Sequence, residues 1–600
     1  MDAILAALAA LAMAGAQTVT SQAFQDAYAT LKRLLQKRFE NKPDAEKALK
    51  EYEHDPKTWE DRLRMVLKQE HVDQDPEIIK AATTVVQISM ESIKSKRRQR
   101  IVLLILVVMV VLGSGGYAAF QYFHSSPTSI GVTTIGGESI GISDGSFAFD
   151  TTLTDGSLKS QAAQAYRQNN IDQAKSLLNQ AIGMNSNDAE ALIYQEDLKV
   201  VNSGKPYVTI VVAIMLSGDN IGVGREDLQG TYVAQKEFND GSKLTGGVQV
   251  RLLIANIGSK TDYVSNVTSQ IVQLARNDTT FVGVMGLPMS RYSVAGIDAL
   301  SSAHIPLVSQ SSMDMLAKKP YFFRVVPSDT QQGEVGARYA INTLHAKNVV
   351  LFDDQHDAYS QDLAQDFLQE FRNDGGQLAI EERYTVGHPE SLPSELQDAL
   401  NKNPDLIYFS GYPTDASTLL SNPLPSDLPV LGGSALYELE GYSKTAHASG
   451  FSHLHFTSSA YPDEWNILGY GNQKPAFFSE YPAYFDPNNL HQNDPHPYGF
   501  TRADNDVITS YDTILAMLSG CEMVLRSGKP SITPDDLNLE LKQLNGTNAI
   551  QGVSGQIAFG PKNGNPINKA IIMLHVDSQG YIQMDPRIIL DGQFIKQPSS

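Results

Sequence analysis

The chain has 600 residues and a formal net charge of −20. Before Ile101 there are 17 basic and 15 acidic residues, so the negative charge lies almost entirely after that point. An acidic chain of this kind argues against nucleic acid or anionic lipid as its partner, and the single cysteine, Cys521, excludes an intrachain disulfide.

The first part of the chain is predicted to be an all-helical module over residues 1–93. Apolar side chains recur at helical spacing around Leu31, Leu35, Leu63 and Leu67. The opening run MDAILAALAALAMAGAQ imitates a signal peptide, but Asp2 stands where a positive n-region is expected, which favours a packed helix. In composition the module resembles the short helical adaptor modules that begin some bacterial signalling and conflict proteins.

A transmembrane helix is predicted over residues 101–121. The run IVLLILVVMVVL begins at Ile101, and the chain stays uncharged to Phe120, which makes roughly 30 Å of helix, enough to cross a bilayer. The preceding KSKRRQR places the basic side in the cytoplasm. The alternative is a buried core helix. We therefore expect a single-pass cell-membrane protein with a cytoplasmic N-terminus and an extracytoplasmic C-terminal part.

Two short segments follow the predicted span. Residues 124–157 are rich in Gly, Ser and Thr, which is typical of a linker, but alternating apolar residues such as Ile140 and Ile142 also fit short strands. Residues 158–203 are predicted to form a helical hairpin like one tetratricopeptide repeat, with Ile171, Leu178 and Ala181 at the expected spacing. A single repeat cannot bury its own apolar face, so the hairpin should dock onto a neighbour.

Residues 205–600 are predicted to form an α/β domain of two lobes. Val208–Met215 reads VTIVVAIM, an apolar run of strand length, and similar runs then alternate with amphipathic helices. This alternation indicates parallel sheets with helices on both faces. Nearly 400 residues are too many for one such sheet, so two lobes are expected.

Several landmarks in this region occur in a characteristic order. They are GLPMS at 286–290, HIPLVSQSS at 304–312, PYFFRVVPSD at 320–329, the loop from Asp354 to Tyr359, and NPD at 403–405 leading to Gly411 and Tyr412. In these landmarks residues 207–595 resemble the type I periplasmic binding proteins, specifically the branched-chain amino acid receptors of ABC transporters. The resemblance implies lobe 1 at about 205–327 and 453–555, and lobe 2 at about 328–452 and 556–598.

The candidate ligand-binding residues lie just after predicted strands, where the crevice of an open α/β sheet forms. Serine hydroxyls and helix-start amides there suit a carboxylate. The alternatives are helix capping for the serines and packing for the tyrosines. The candidates are Ser290, Ser309, Ser311, Ser312, Tyr359, Tyr412 and Ser434.

The resemblance also implies roles for these positions. The counterpart of Ser290 holds the ligand carboxylate, with help from the turn that matches Ser311. The threonine and glutamate that bind the ligand amine map onto Met313 and Ser434. A buried ammonium needs a paired anion, so an α-amino acid is disfavoured as ligand unless Glu438, Glu440 or Asp219 takes over.

The sequence therefore predicts a binding protein, without enzyme activity, cofactor or metal site. Closure of two lobes on a small polar solute would serve an ABC permease. The alternative is a transmembrane sensor in which the N-terminal module relays occupancy to a cytoplasmic signalling partner.

Overall fold

The computed structural model describes residues 22–40, 42–54, 130–437, 449–494, 497–585, 587 and 590–596, and scattered positions between 63 and 85. The chain divides into two compact units, Met1–Thr128 and Ser129–Ser600. Each unit has apolar cores of its own.

In the first unit the described helices are α1 (Gln22–Phe39) and α2 (Pro43–His54). Their apolar faces pack into one core that includes Leu31 and Leu35 and also takes in Leu63 and Leu67. The transmembrane helix predicted at 101–121 lies outside the described residues. Among the helices that are described, none is long and apolar enough to cross a membrane.

The second unit contains strands and helices in an order that alternates through most of its length. Up to the end of the first sheet they are β1 (Val132–Ile135), β2 (Glu138–Ser143), α3 (Gly156–Arg167), α4 (Ile171–Met184), α5 (Ala189–Asn202), β3 (Tyr207–Ile214), α6 (Ile221–Asp240), β4 (Gln249–Asn256), α7 (Thr261–Asn277), β5 (Phe281–Gly286), α8 (Ser290–Ser302), β6 (Leu307–Ser309) and β7 (Phe322–Arg324).

The remaining elements form the second sheet and complete the first lobe. They are α9 (Asp329–Asn342), β8 (Asn348–Asp353), α10 (Ala358–Asn373), β9 (Gln377–Arg383), α11 (Leu392–Leu400), β10 (Leu406–Phe409), α12 (Pro413–Leu420), β11 (Val430–Gly432), β12 (Leu454–Ser458), α13 (Glu464–Ile467), α14 (Phe477–Phe485), α15 (Asn505–Arg526), α16 (Pro534–Leu541), β13 (Ile550–Gly552), β14 (Gly555–Ile557), β15 (Ile571–Val576), β16 (Ile582–Met584) and β17 (Leu590–Asp591).

Lobe 1 is built on a seven-stranded sheet in the order β1-β2-β4-β3-β5-β6-β7. The five strands from β4 to β7 are parallel, and β1 and β2 are added antiparallel at one edge. The apolar run from Val208 to Ile214 forms the central strand β3. Its alternate side chains enter different cores, Val212 on one face and Val211 on the other, as expected for a strand that helices cover on both sides.

Lobe 2 is built on a second sheet in the order β16-β15-β12-β11-β10-β8-β9, with β17 beside β15. The strands from β9 to β12 are parallel, whereas β15 pairs antiparallel with β12. Because Leu454–Ser458 pairs within this sheet, the chain returns to lobe 1 after Ser458, a few residues beyond the boundary predicted at 453. The first crossing lies between β7 and α9. The last lies after Gly564, which still bridges to Phe323 in β7, and not at the predicted 555/556 boundary.

The segment 124–157 contains strands rather than only a linker. The pair β1 and β2 joins the lobe 1 sheet, where Gly141 pairs with Asn256 and the Asn256 amide donates to the Ser139 carbonyl at 2.8 Å. The alternative of short strands packed on the next domain therefore describes residues 132–143.

Residues 158–203 fall in three helices, α3 to α5, that pack against lobe 1. In α5, Asp197 accepts hydrogen bonds from the Leu252 amide at 3.0 Å and the Gln235 side chain at 2.7 Å. Both partners belong to the lobe, so the segment is part of its wall. The kinship of these helices with a tetratricopeptide repeat stays a prediction.

Candidate functional site

The predicted site residues gather at the carboxyl ends of parallel strands in both lobes. Ser290 begins α8 after β5. Ser309 is the last residue of β6, and Ser311 and Ser312 follow that strand. In lobe 2, Tyr359 lies in the first turn of α10 after β8, Tyr412 precedes α12, and Ser434 follows β11. Strand ends of this kind open into the ligand crevice of α/β proteins.

On the lobe 1 side, the structure joins Ser290 and Ser311. The Ser311 hydroxyl donates to the Ser290 hydroxyl oxygen at 3.1 Å, and both residues are buried. The N-cap position of α8 is Met289, and Ser290 is the first residue of the helix, so Ser290 is not its N-cap. The two hydroxyls form a polar pair next to the free amides of a helix start, a setting suited to an anion.

Ser309 has a different environment. Its hydroxyl donates to the Leu287 carbonyl at 3.2 Å and accepts from the Ser311 amide at 3.1 Å, and the residue has no exposed surface. Ser309 thus ties the two lobe 1 loops together and holds Ser311 in place. Ser312 is also engaged, since its carbonyl accepts from Arg324 and from the Asp329 amide.

On the lobe 2 side, the two tyrosines lie with ring centroids 5.6 Å apart. The Tyr359 hydroxyl oxygen accepts from the Ala435 amide at 3.3 Å, and the Tyr412 hydroxyl donates to Asp357 at 3.3 Å. The Ser434 amide donates to Gln332 at 3.0 Å. These contacts bring the three predicted lobe 2 residues into one patch.

Arg291 connects the two lobes, and the sequence analysis missed it. Its guanidinium carbon lies 5.0 Å from the ring centroid of Tyr292 in its own lobe and 5.7 Å from that of Tyr412 in lobe 2. A cation above an aromatic ring is attracted by the ring quadrupole. The available signal was its position beside Ser290 at the start of a helix, at the mouth of the predicted crevice.

Asp329 is the other residue that sequence reasoning missed. It begins α9 at the first crossing between the lobes and is fully buried. Neither of its carboxyl oxygens accepts a hydrogen bond from the described residues. Burial raises the pKa of Asp329 to about 8, opposed by the Ser312 hydroxyl and the charge of Arg324. Its carboxyl is therefore mostly protonated at neutral pH.

The proposed substitutes for the amine partner have different positions. Asp219 is exposed in the loop after β3, while Glu438 and Glu440 lie outside the described residues. Met313 is buried in the apolar core of lobe 1. Within the part of the chain that the structure describes, no three His, Cys, Asp or Glu side chains are grouped as a metal site requires.

The comparisons with known proteins agree with this architecture. The model of a family described as "Periplasmic binding protein" matches residues 207–580, so the chain belongs to the periplasmic binding protein family. A second family model, the Het-E N-terminal domain, matches residues 1–141. No curated protein matches the chain.

Among solved structures, the leucine-binding protein LivK of Thermotoga maritima is 21% identical and superposes with a TM-score of 0.53 over 64% of this chain and 99% of that one. LivJ of Streptococcus pneumoniae, a branched-chain amino acid transporter substrate-binding protein in complex with isoleucine, is 20% identical with a TM-score of 0.52, over 64% and 99%. A fatty acid ABC transporter substrate-binding protein from Thermomonospora curvata is 13% identical with a TM-score of 0.53, over 64% and 92%. Such likenesses establish the two-lobed fold.

Proposed function

We propose that this chain captures a small polar solute between its two lobes and serves as the extracytoplasmic receptor of an ABC-type importer. The observation that carries the proposal is the pair of facing patches at the strand ends. The lobe 1 patch consists of the hydroxyls of Ser290 and Ser311. The lobe 2 patch consists of Tyr359, Tyr412 and Ser434. A solute that touches both patches stabilises the closed arrangement of the lobes.

The proposed ligand is a small carboxylate or amide rather than a branched-chain amino acid. The serine pair and the start of α8 suit a carboxylate or another hydrogen-bond acceptor. Two described acids lie at the patches. Asp357 already accepts hydrogen bonds from the Tyr412 hydroxyl and the Ser360 amide, and burial raises the pKa of Asp329 to about 8, so neither offers a free carboxylate to an ammonium. The structural relatives are named for both amino acids and fatty acids, so the fold alone selects no ligand.

The function is tested by a thermal-shift screen with amino acids, amides and small acids, followed by calorimetry. The fragment used should begin at Ser129 and not at residue 205, because β1, β2 and α3–α5 form part of lobe 1. Leucine, isoleucine and valine should bind poorly, since an unpaired buried ammonium loses several kcal/mol of hydration. Micromolar binding of leucine would contradict the proposed ligand class, and no binding by any compound would contradict the function.

Replacement of Ser290 by alanine should weaken binding of the screened ligand by about 1.5–3 kcal/mol, the value expected for a hydrogen bond to a charged group. The stability of the empty protein should change little. Ser269→Ala, on the exposed face of α7, is the matched control. Equal affinity of wild type and Ser290→Ala in calorimetry would remove Ser290 from the site.

The cell-membrane location is part of the proposal and rests on the sequence of residues 94–120. Protease added to intact cells should remove the part after about residue 124 and spare the N-terminal module. Digestion of that module from outside the cell would contradict the proposed topology.

A transmembrane sensor is the second candidate function. It is favoured by the separate family match over residues 1–141, because solute delivery alone needs no module before the span. Sensing would require a cytoplasmic partner of residues 1–93 whose binding changes with ligand. A partner that binds equally with and without the solute would argue for transport.

A further inference from the structure

A cavity lies outside the serine and tyrosine patches. It has a volume of about 370 Å³ and is enclosed by three segments: residues 462–481, residues 497–503 and residues 581–583 of lobe 2. A volume of this size is within the range of small-molecule sites. None of the seven predicted ligand-binding residues lines it.

Lys474 gives this cavity an uncompensated positive charge. Its ammonium makes no hydrogen bond and no ion pair with any described residue, and it lies 4.1 Å from the ring centroid of Phe478. Burial and the nearby charge of Arg502 lower the pKa of Lys474, against the pull of Asp463 and Glu464. Burial raises the pKa of Glu464 well above its usual value, which leaves little negative charge there. The acidic side chains near this half-buried cation bond to other groups. A ligand anion would therefore be stabilised at the Lys474 ammonium.

Arg502 is the second cation of the cavity, and its guanidinium already has hydrogen-bond partners within the protein. It donates to Asp463 at 2.6 Å and to the Tyr461 hydroxyl at 2.9 Å, and its guanidinium lies 5.1 Å from the ring centroid of Tyr498. Asp463 therefore neutralises Arg502, and one positive charge, that of Lys474, remains. A single negative charge on the ligand would balance it, which favours a monocarboxylate over a phosphate dianion.

The other walls of the cavity are largely aromatic. Phe477, Phe478, Tyr481, Tyr498 and Tyr581 line it, and rings of this kind stack on flat apolar groups. We propose that this cavity binds an organic monocarboxylate with an aromatic body, its carboxylate on Lys474 and its ring among these side chains. This site is independent of the solute cleft and of the function proposed for it.

The test is calorimetry on the full chain with 3-phenylpropionate as probe and its neutral amide as comparison. Wild type should bind the acid at least tenfold more tightly than the amide. Lys474→Met should lose at least tenfold in affinity for the acid, and Lys474→Arg should retain most of it because the charge is kept. Lys205→Met, at an exposed lysine outside the cavity, should bind like wild type.

Several results would overturn the assignment. They are no binding of the acid by wild type, equal binding of acid and amide, or unchanged affinity in a folded Lys474→Met protein. A loss of affinity in Ser290→Ala as large as that in Lys474→Met would place the probe in the solute cleft and would also contradict a separate site. Melting temperatures of all variants verify that each is folded. If Lys474→Met is not folded, the affinity of Lys474→Arg decides the role of Lys474.

Discussion

Replacement of Lys159 by methionine should destabilise the second unit by about 3–5 kcal/mol, the usual cost of removing one partner from a buried ion pair. The Lys159 ammonium lies 2.5 Å from Asp188 and 2.8 Å from Glu190, and all three side chains are almost completely buried. Glu190 also accepts from the amides of Phe149 and Asp150. The ion triad thus fastens the loop after β2 to α5.

The loss should depend on pH in a defined direction. Burial raises the pKa of Asp188 to about 6 even with Lys159 present, and without the lysine it should rise further. Protonation of Asp188 relieves its repulsion with Glu190, so the deficit of Lys159→Met should be smaller at pH 5 than at pH 8. Lys199→Met, at an exposed lysine whose buried partner Glu196 keeps a second ion pair with Lys236, is the control and should lie within about 0.5 kcal/mol of wild type. Urea denaturation at both pH values measures the difference, and a loss below about 1 kcal/mol would refute the role of the triad.

Replacement of Asp329 by asparagine should stabilise the protein at pH 8. An aspartate with an ordinary pKa of 3.8 and a folded pKa of about 8 holds its proton on folding. The unfolded chain releases that proton above about pH 4, so stability falls as the pH rises from about 4 to about 8. Each pKa unit is worth about 1.4 kcal/mol, which bounds the gain at roughly 6 kcal/mol. We expect about 2–3 kcal/mol because the asparagine amide also lacks partners.

The control for this substitution is Asp374→Asn, at an exposed helix end. Thermal melts between pH 4 and pH 8 should show that Asp329→Asn has a flatter pH profile than wild type, while Asp374→Asn follows the wild-type profile. Parallel profiles for wild type and Asp329→Asn would mean that this carboxyl is ionised in the folded protein. That result would also restore an anion near the cleft and with it the possibility of an amine ligand.

The two-lobed fold could be predicted because it follows from signals that lie within single segments. The run at Val208–Met215 is apolar on both faces, as a central parallel strand must be, and the stretch 320–329 marks the first crossing. The assignment of Leu454–Ser458 to the lobe 2 sheet was harder to predict, since an apolar strand next to a crossing between the lobes fits either sheet. The pairing of residues 141–143 with β4 depends on contacts more than 100 residues apart, which local composition does not specify.

The positions of the candidate residues in the fold could be predicted, whereas their contacts depend on side-chain direction. The seven candidates lie at or just after strand ends, because loop position is encoded by the strand and helix pattern, and their contact with a ligand stays a prediction. The sequence does not show where a hydroxyl points. The Ser309 hydroxyl donates to the Leu287 carbonyl in its own lobe, whereas the Ser290 hydroxyl accepts from that of Ser311. Arg291 was missed because its contact is with the ring of Tyr412 in the opposite lobe. Asp329 was missed because its properties follow from complete burial. Both properties arise only when the lobes are folded and packed.

The claim that the lobes close on a solute is tested most directly by the distance between them. Cysteines in place of the exposed Asp219 in lobe 1 and His356 in lobe 2 provide positions for spin labels, and the native Cys521 is buried. With the ligand found in the screen, the measured label-to-label distance should shorten relative to the ligand-free protein. An unchanged distance distribution at saturating ligand would contradict the account.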